Sequence, residues 1–167
     1  MGSSAVLPTA LPSPPFQWAV RIGAAGVVLG GLVAAVTGPL SLPRGSWLAA
    51  YLVLVVGVSQ YTMGRVSTWF GVGSSDRIVW SQLIGWNCGN TAVVVGTLIT
   101  MPYLVDVGGV VLLIVLLTLL RDALRRRPIV DVAPTSRRWG RRAYTFLLIA
   151  LVVSVPIGLA LAHLRAG

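Results

Sequence analysis

Ser81-Gln82-Leu83-Ile84-Gly85-Trp86-Asn87-Cys88-Gly89-Asn90-Thr91 is the stretch on which the reading of this chain turns. It lies inside an apolar run from about Ile78 to Met101, long enough to cross a bilayer. Yet it carries two asparagines, a glutamine, a thiol and an indole where lipid favours Leu and Val. A bare amide in hydrocarbon costs on the order of several kcal/mol, so these groups need partners from protein, water or ligand. The other apolar segments read as helices gathered around this one.

Composition sets the class. Of 167 residues, 56% are hydrophobic and only 10% charged, and the mean hydropathy is +0.86. A soluble domain carries about a quarter charged residues, so the chain is expected to be an integral membrane protein. Its apolar runs are unbroken rather than alternating, which points to helices and away from a β-barrel. All 13 basic residues are Arg, and the net charge is +9. The single Cys, Cys88, excludes an intrachain disulfide and a multi-Cys metal site. The single His, His163, excludes a bis-His haem or a His-cluster metal site built from this chain alone. No cofactor is expected.

Working outward, residues 1–15 are small, polar and Pro-rich and read as a disordered tail. Residues 16–167 form one transmembrane domain, with helices expected over about 18–38, 47–66, 78–101, 104–120 and 144–164 and a basic loop over 121–142. For the first segment a cleaved signal peptide is the competing reading, with small residues near Ala34–Gly38 as the cleavage region. With the N-terminus inside, 11 of the 13 Arg lie on the cytoplasmic side, and only Arg44 and Arg165 lie outside. The expected architecture is therefore an all-α bundle of five transmembrane helices, N-terminus in and C-terminus out, in the plasma membrane.

Several residues qualify as sites. In the central stretch Ser81, Gly85 and Gly89 repeat every four residues, and in the first segment so do Gly26 and Gly30. Such small-residue faces let helix backbones approach closely. Gln60 and Tyr61 in the second segment and Gln82, Asn87 and Asn90 in the third form a candidate intramembrane polar patch. Its structural reading is interhelical hydrogen bonding; its functional readings are a cavity for a headgroup, quinone or small solute, or contact with a partner subunit. Asp106 is the one acid inside an apolar segment, either solvated at the interface or a proton or cation site. Arg125, Arg126, Arg127, Arg137, Arg138, Arg141 and Arg142 fix topology and suit contact with anionic lipid headgroups. No base-reading aromatic series accompanies them, so nucleic acid is not an expected partner. No nucleophile–base pair, phosphate loop or paired carboxylates occur, and an enzyme is not expected.

The segment from Ala49 to Arg127 resembles part of the haem–copper oxidase catalytic-subunit architecture and small membrane proteins related to it. The likeness rests on Tyr51-Leu-Val-Leu-Val-Val-Gly57 followed by Gly64, on Trp86-Asn87-x-Gly89, and on Gly108-Gly109 with Leu119-Leu-Arg121. In that family a His in the first of these helices carries haem; this chain has none there, so haem ligation does not follow. The resemblance implies an accessory protein of the respiratory membrane. The expected function is a small non-enzymatic membrane protein, an accessory or assembly subunit packed against other membrane subunits or a second copy of itself. The alternative is a protein that binds or transports a lipid, quinone or small solute through the polar patch.

Overall fold

The computed structural model describes residues 14–69, 76–125 and 134–164, and among them there is no strand. Among the described residues five helices follow one another. α1 is Pro14–Thr37. α2 is a continuous rod made of Gly45–Tyr51, a π-helical stretch Leu52–Ser59, and Gln60–Trp69. α3 is Asp76–Leu98, α4 is Pro102–Arg125 and α5 is Pro134–Leu164. Three segments are long and apolar enough to cross a membrane: Pro14–Thr37, Gly45–Val66 and Pro102–Arg125. α3 has the length, with 23 residues, but Asp76, Arg77 and its amides dilute its hydropathy. The apolar part of α5 is the shorter Arg142–Gly158.

The helix ends differ from those read off the sequence. α1 starts at Pro14 rather than near Trp18, because proline suits the first turn, where an N–H has no helical acceptor. α4 continues to Arg125 and α5 already begins at Pro134, so the expected 121–142 loop is helical at both ends. Arginine is a good helix former, and Arg125 in the last turn of α4 complements the negative end of the helix dipole. The tail before Pro14, Arg126, Arg127 and Arg165 lie outside the described residues.

α1 and α2 pack backbone against backbone. The buried positions of α1 (Phe16, Ala19, Gly23, Gly26 and Gly30) alternate spacings of three and four, which is one helix face. A Cβ on Gly23 would lie 2.5 Å from the Tyr61 backbone nitrogen, and one on Gly30 2.9 Å from the Ala49 carbonyl. The facing positions on α2 (Ala49, Val53, Gly57, Tyr61) recur every four residues. An ordinary helix with 3.6 residues per turn drifts off such a line. The wider π turn over Leu52–Ser59 holds it there, with the Ser59 hydroxyl donating to the Leu54 carbonyl at 2.8 Å.

α3 and α4 approach as closely. A Cβ on Gly108 would fall 2.7 Å from the Gly89 carbonyl, and one on Gly96 2.9 Å from the Val105 nitrogen. Gly85 differs, since a Cβ there meets only a Val115 methyl at 3.0 Å. α5 closes on α4 through a core of Leu112, Val115, Leu116, Ala123, Tyr144 and Leu148, joined by Met63 and Val66 of α2 and Trp86 of α3. The α1–α2 and α3–α4 turns lie at one end of the bundle, where Arg44 reaches Thr97. Each ends its helix with a non-glycine residue in the left-handed region, Ser41 (φ 48°) and Thr100 (φ 57°). The Leu42 N–H returns to Thr37 O at 3.1 Å and the Met101 N–H to Gly96 O at 2.8 Å, the six-to-one bond of a Schellman ending.

The α1–α2 hairpin and the α3–α4–α5 unit are each tight, whereas the seam between them is sparse. α1 touches α3 and α2 touches α5, while the α2 and α3 backbones meet little and are joined through side chains.

Candidate functional site

That seam opens into a cavity of about 860 Å³. Four helices wall it. α2 contributes Trp47, Tyr51 and Val55, α3 contributes Trp86 and Thr97, α4 contributes Leu112 and Leu116, and α5 contributes Leu151, Val155 and Gly158. The rim at the turn end is Pro43, Arg44, Thr100, Met101 and Pro102. Pro156 lies inside α5, beside this wall. Lacking an N–H, it leaves the Val152 carbonyl without its usual helical donor.

Polar contacts tie the seam at two depths. At the rim the Arg44 guanidinium donates from Nη1 to the Thr97 carbonyl at 2.8 Å and the Leu98 carbonyl at 3.0 Å. These are among the last carbonyls of α3, which have no acceptor role left within the helix and favour a cation. Deeper, the Tyr51 hydroxyl donates to Asn90 Oδ1 at 2.8 Å, and Asn90 Nδ2 donates to the Trp86 carbonyl at 2.8 Å. Trp47 stacks on Tyr51 with ring centroids 5.3 Å apart, which orients the phenol.

A second, smaller cavity of about 50 Å³ lies toward the other end. Phe16, Ala19, Gln60, Met63, Gln82 and Trp86 are among its walls. Trp86 borders both cavities.

The residues of the expected polar patch fall into separate places. Gln60 and Gln82 share the small cavity. Gln60 is 1% exposed, and Gln82 Nε2 lies 3.5 Å from Thr118 Oγ1 on α4. Asn90 joins Tyr51 instead, and Asn87, half-buried, donates to the Leu83 carbonyl of its own helix at 2.8 Å. Tyr61 is exposed, with the Arg65 guanidinium 6.0 Å from its ring. Of the glycines, Gly26, Gly30 and Gly89 lie in buried helix contacts and Gly85 in a looser one. Asp106 is half-buried, in the second turn of α4. Arg125 and Arg142 are exposed, and Arg137, Arg138 and Arg141 stand on the first two turns of α5. Among the described residues no group of three or more His, Cys, Asp or Glu side chains could hold a metal ion.

Sequence reasoning passed over the residues that frame the large cavity. From sequence alone, Trp47 and Tyr51 at the outer end of a span suit interfacial anchoring, and Arg44 counts only as one of two outside arginines. Their spacing was the available signal: Trp47 and Tyr51 stand one helical turn apart, three and seven residues after Arg44. No family model, curated protein or solved structure matches this chain.

Proposed function

We propose that the chain is a five-span protein of the cell membrane that binds an amphiphile, a lipid- or quinone-like molecule with an apolar body and a hydrogen-bonding end. The observation that carries this reading is the cavity of about 860 Å³ at the seam. Small-molecule sites occupy about 300–1,000 Å³ and combine an apolar lining with a few placed polar groups. Here Val55, Leu112, Leu116, Leu151 and Val155 suit the apolar body, and Arg44, Tyr51 and Thr97 offer polar groups. The role is binding rather than catalysis. α3 and α5 complete the five spans although each is less apolar than the other three. Several of their polar groups turn to a neighbouring helix or to their own backbone, as in the Tyr51–Asn90, Asn87–Leu83 and Ser154–Leu151 bonds, which favours burial in a membrane. The arginine distribution supports an N-terminus inside and a C-terminus outside. Protein purified in mild detergent and examined by native mass spectrometry should carry a bound molecule of this class. Ligand-free protein from several detergents would refute the reading.

A second reading, lateral packing on another membrane subunit or a second copy, is favoured by one outward face of α1. Ala24, Val28, Gly31 and Ala35 all lie on it and are exposed, and a Cβ on Gly31 meets nothing within 4 Å. Small residues on such a face suit close helix approach. An accessory role in a respiratory complex belongs to this reading. The same spectra distinguish the two, since a stoichiometric protein partner in place of a small molecule favours the second.

A further inference from the structure

We propose that the small cavity at Gln60 is a binding site for one neutral hydroxyl group, separate from the amphiphile cavity and independent of the reading given to it. Three buried polar atoms have no hydrogen-bond partner among the described residues: Gln60 Oε1, Gln60 Nε2 and Trp86 Nε1. Gln60 is 1% and Trp86 3% exposed, and both line the same cavity of about 50 Å³. Leaving a buried polar group unpaired forfeits its solvation without a substitute, so a guest that satisfies these atoms is favoured.

Their chemistry defines the guest. The Gln60 amide and the Trp86 indole supply donors, and Gln60 Oε1 supplies an acceptor. A hydroxyl answers both, with two lone pairs and one hydrogen. A bare carbonyl leaves Oε1 unpaired, and an ammonium can accept nothing. An ion is disfavoured further, because the walls (Pro15, Phe16, Ala19, Met63, Val79 and Leu83 besides the amides and indole) hold no charge. Size agrees: a water needs roughly 10–15 Å³ of such volume, so the cavity takes water or the terminal hydroxyl of a small alcohol or glycerol-type headgroup. All three atoms are covered by their neighbours, so the guest meets them after rotation of the Gln60 and Trp86 side-chain torsions.

The backbone prepares the site. Gln60 directly follows the π-helical stretch, and the widened turn changes the register of what comes after. Ser59 and Gln60, on either side of the end of that stretch, are both buried, at 2% and 1% exposure. Widened turns of this kind recur at functional sites.

The test is solution NMR of the full chain, 15N-labelled, in nanodiscs of two compositions. Phosphatidylcholine carries no hydroxyl, so water is the only hydroxyl source in the first. Phosphatidylglycerol supplies glycerol hydroxyls in the second. Magnetisation transfer from water to the Gln60 side-chain amide and the Trp86 indole N–H in both compositions identifies water as the guest. Its loss in phosphatidylglycerol, with both resonances shifted, identifies the lipid hydroxyl. Gln60→Met should weaken the transfer to the Trp86 indole several-fold while leaving other Trp indoles unchanged. The proposal is overturned if neither group of the wild-type protein exchanges with water or responds to the lipid in either composition. It is also overturned if Gln60→Met folds and leaves the Trp86 signal unaltered.

Discussion

Tyr51 and Asn90 are joined across the seam by a 2.8 Å hydrogen bond, phenol to amide oxygen, where the α2 and α3 backbones meet little. Asn90 is 3% exposed, so this bond lies where water does not substitute for it. Tyr51→Phe should therefore destabilise the fold by about 1–3 kcal/mol by leaving the Asn90 oxygen unpaired. Adding Asn90→Leu to Tyr51→Phe should cost less than the sum of the two single changes, with a coupling energy of about 1 kcal/mol. Reversible unfolding in detergent measures all three. Strictly additive losses would show that the bond does not hold the seam.

Arg44 should act at the rim. Arg44→Ala removes two charge-assisted bonds to the carbonyls of Thr97 and Leu98. Because the guanidinium is exposed, the expected loss is only about 1 kcal/mol. Amide hydrogen exchange should accelerate in the last turn of α3 and leave α1 unchanged. Unaltered exchange across that turn would contradict the clamp.

The glycines divide into two groups by what a methyl would meet. Gly23→Ala and Gly30→Ala push against the Tyr61 nitrogen and the Ala49 carbonyl, which cannot rotate aside. Each should cost about 1–3 kcal/mol as an overpacked contact. Gly31→Ala meets nothing within 4 Å and should be neutral, or stabilising by about 0.5–1 kcal/mol through helix propensity. In α3, Gly89→Ala should be worse than Gly85→Ala, since only the former presses on the Gly108 carbonyl. Melting temperatures of the five proteins give the order, and equal values at Gly23 and Gly31 would refute the packing.

How much of this was legible follows from what each signal depends on. The all-helical class, with apolar helices long enough to cross a membrane, was legible because unbroken apolar runs are a property of composition. The close helix faces were legible too, since glycine at three- and four-residue spacing has a direct geometric meaning. The polar patch was legible only as a set of residue types. Whether Asn90 meets Gln60 or Tyr51 depends on the π stretch at Leu52–Ser59, which shifts the register of α2. Nothing in Leu52-Val-Leu-Val-Val-Gly-Val-Ser59 departs from an ordinary apolar helix. The helix ends at Arg125 and Pro134 were missed because clustered arginine reads as loop when only charge is counted.

The proposed five spans imply a topology. A reporter fused after Gly167 should read outside the cytoplasm, and one inserted near Ala133, beyond the described residues, should read cytoplasmic. A cytoplasmic reading at both positions would leave α5 on the membrane surface and reduce the count.

The central claim is that the cavity between the hairpins holds an amphiphile. Val155 faces it from α5 and Val55 from α2, so Val155→Trp and Val55→Trp fill the space while keeping both Tyr51 and Asn90. The decisive measurement is bound lipid or quinone per protein, by native mass spectrometry, for wild type and the two variants purified side by side. The account predicts near-stoichiometric ligand in wild type and its loss from both variants, with melting temperatures equal to or above the wild-type value. Equal ligand content in all three folded proteins would contradict it.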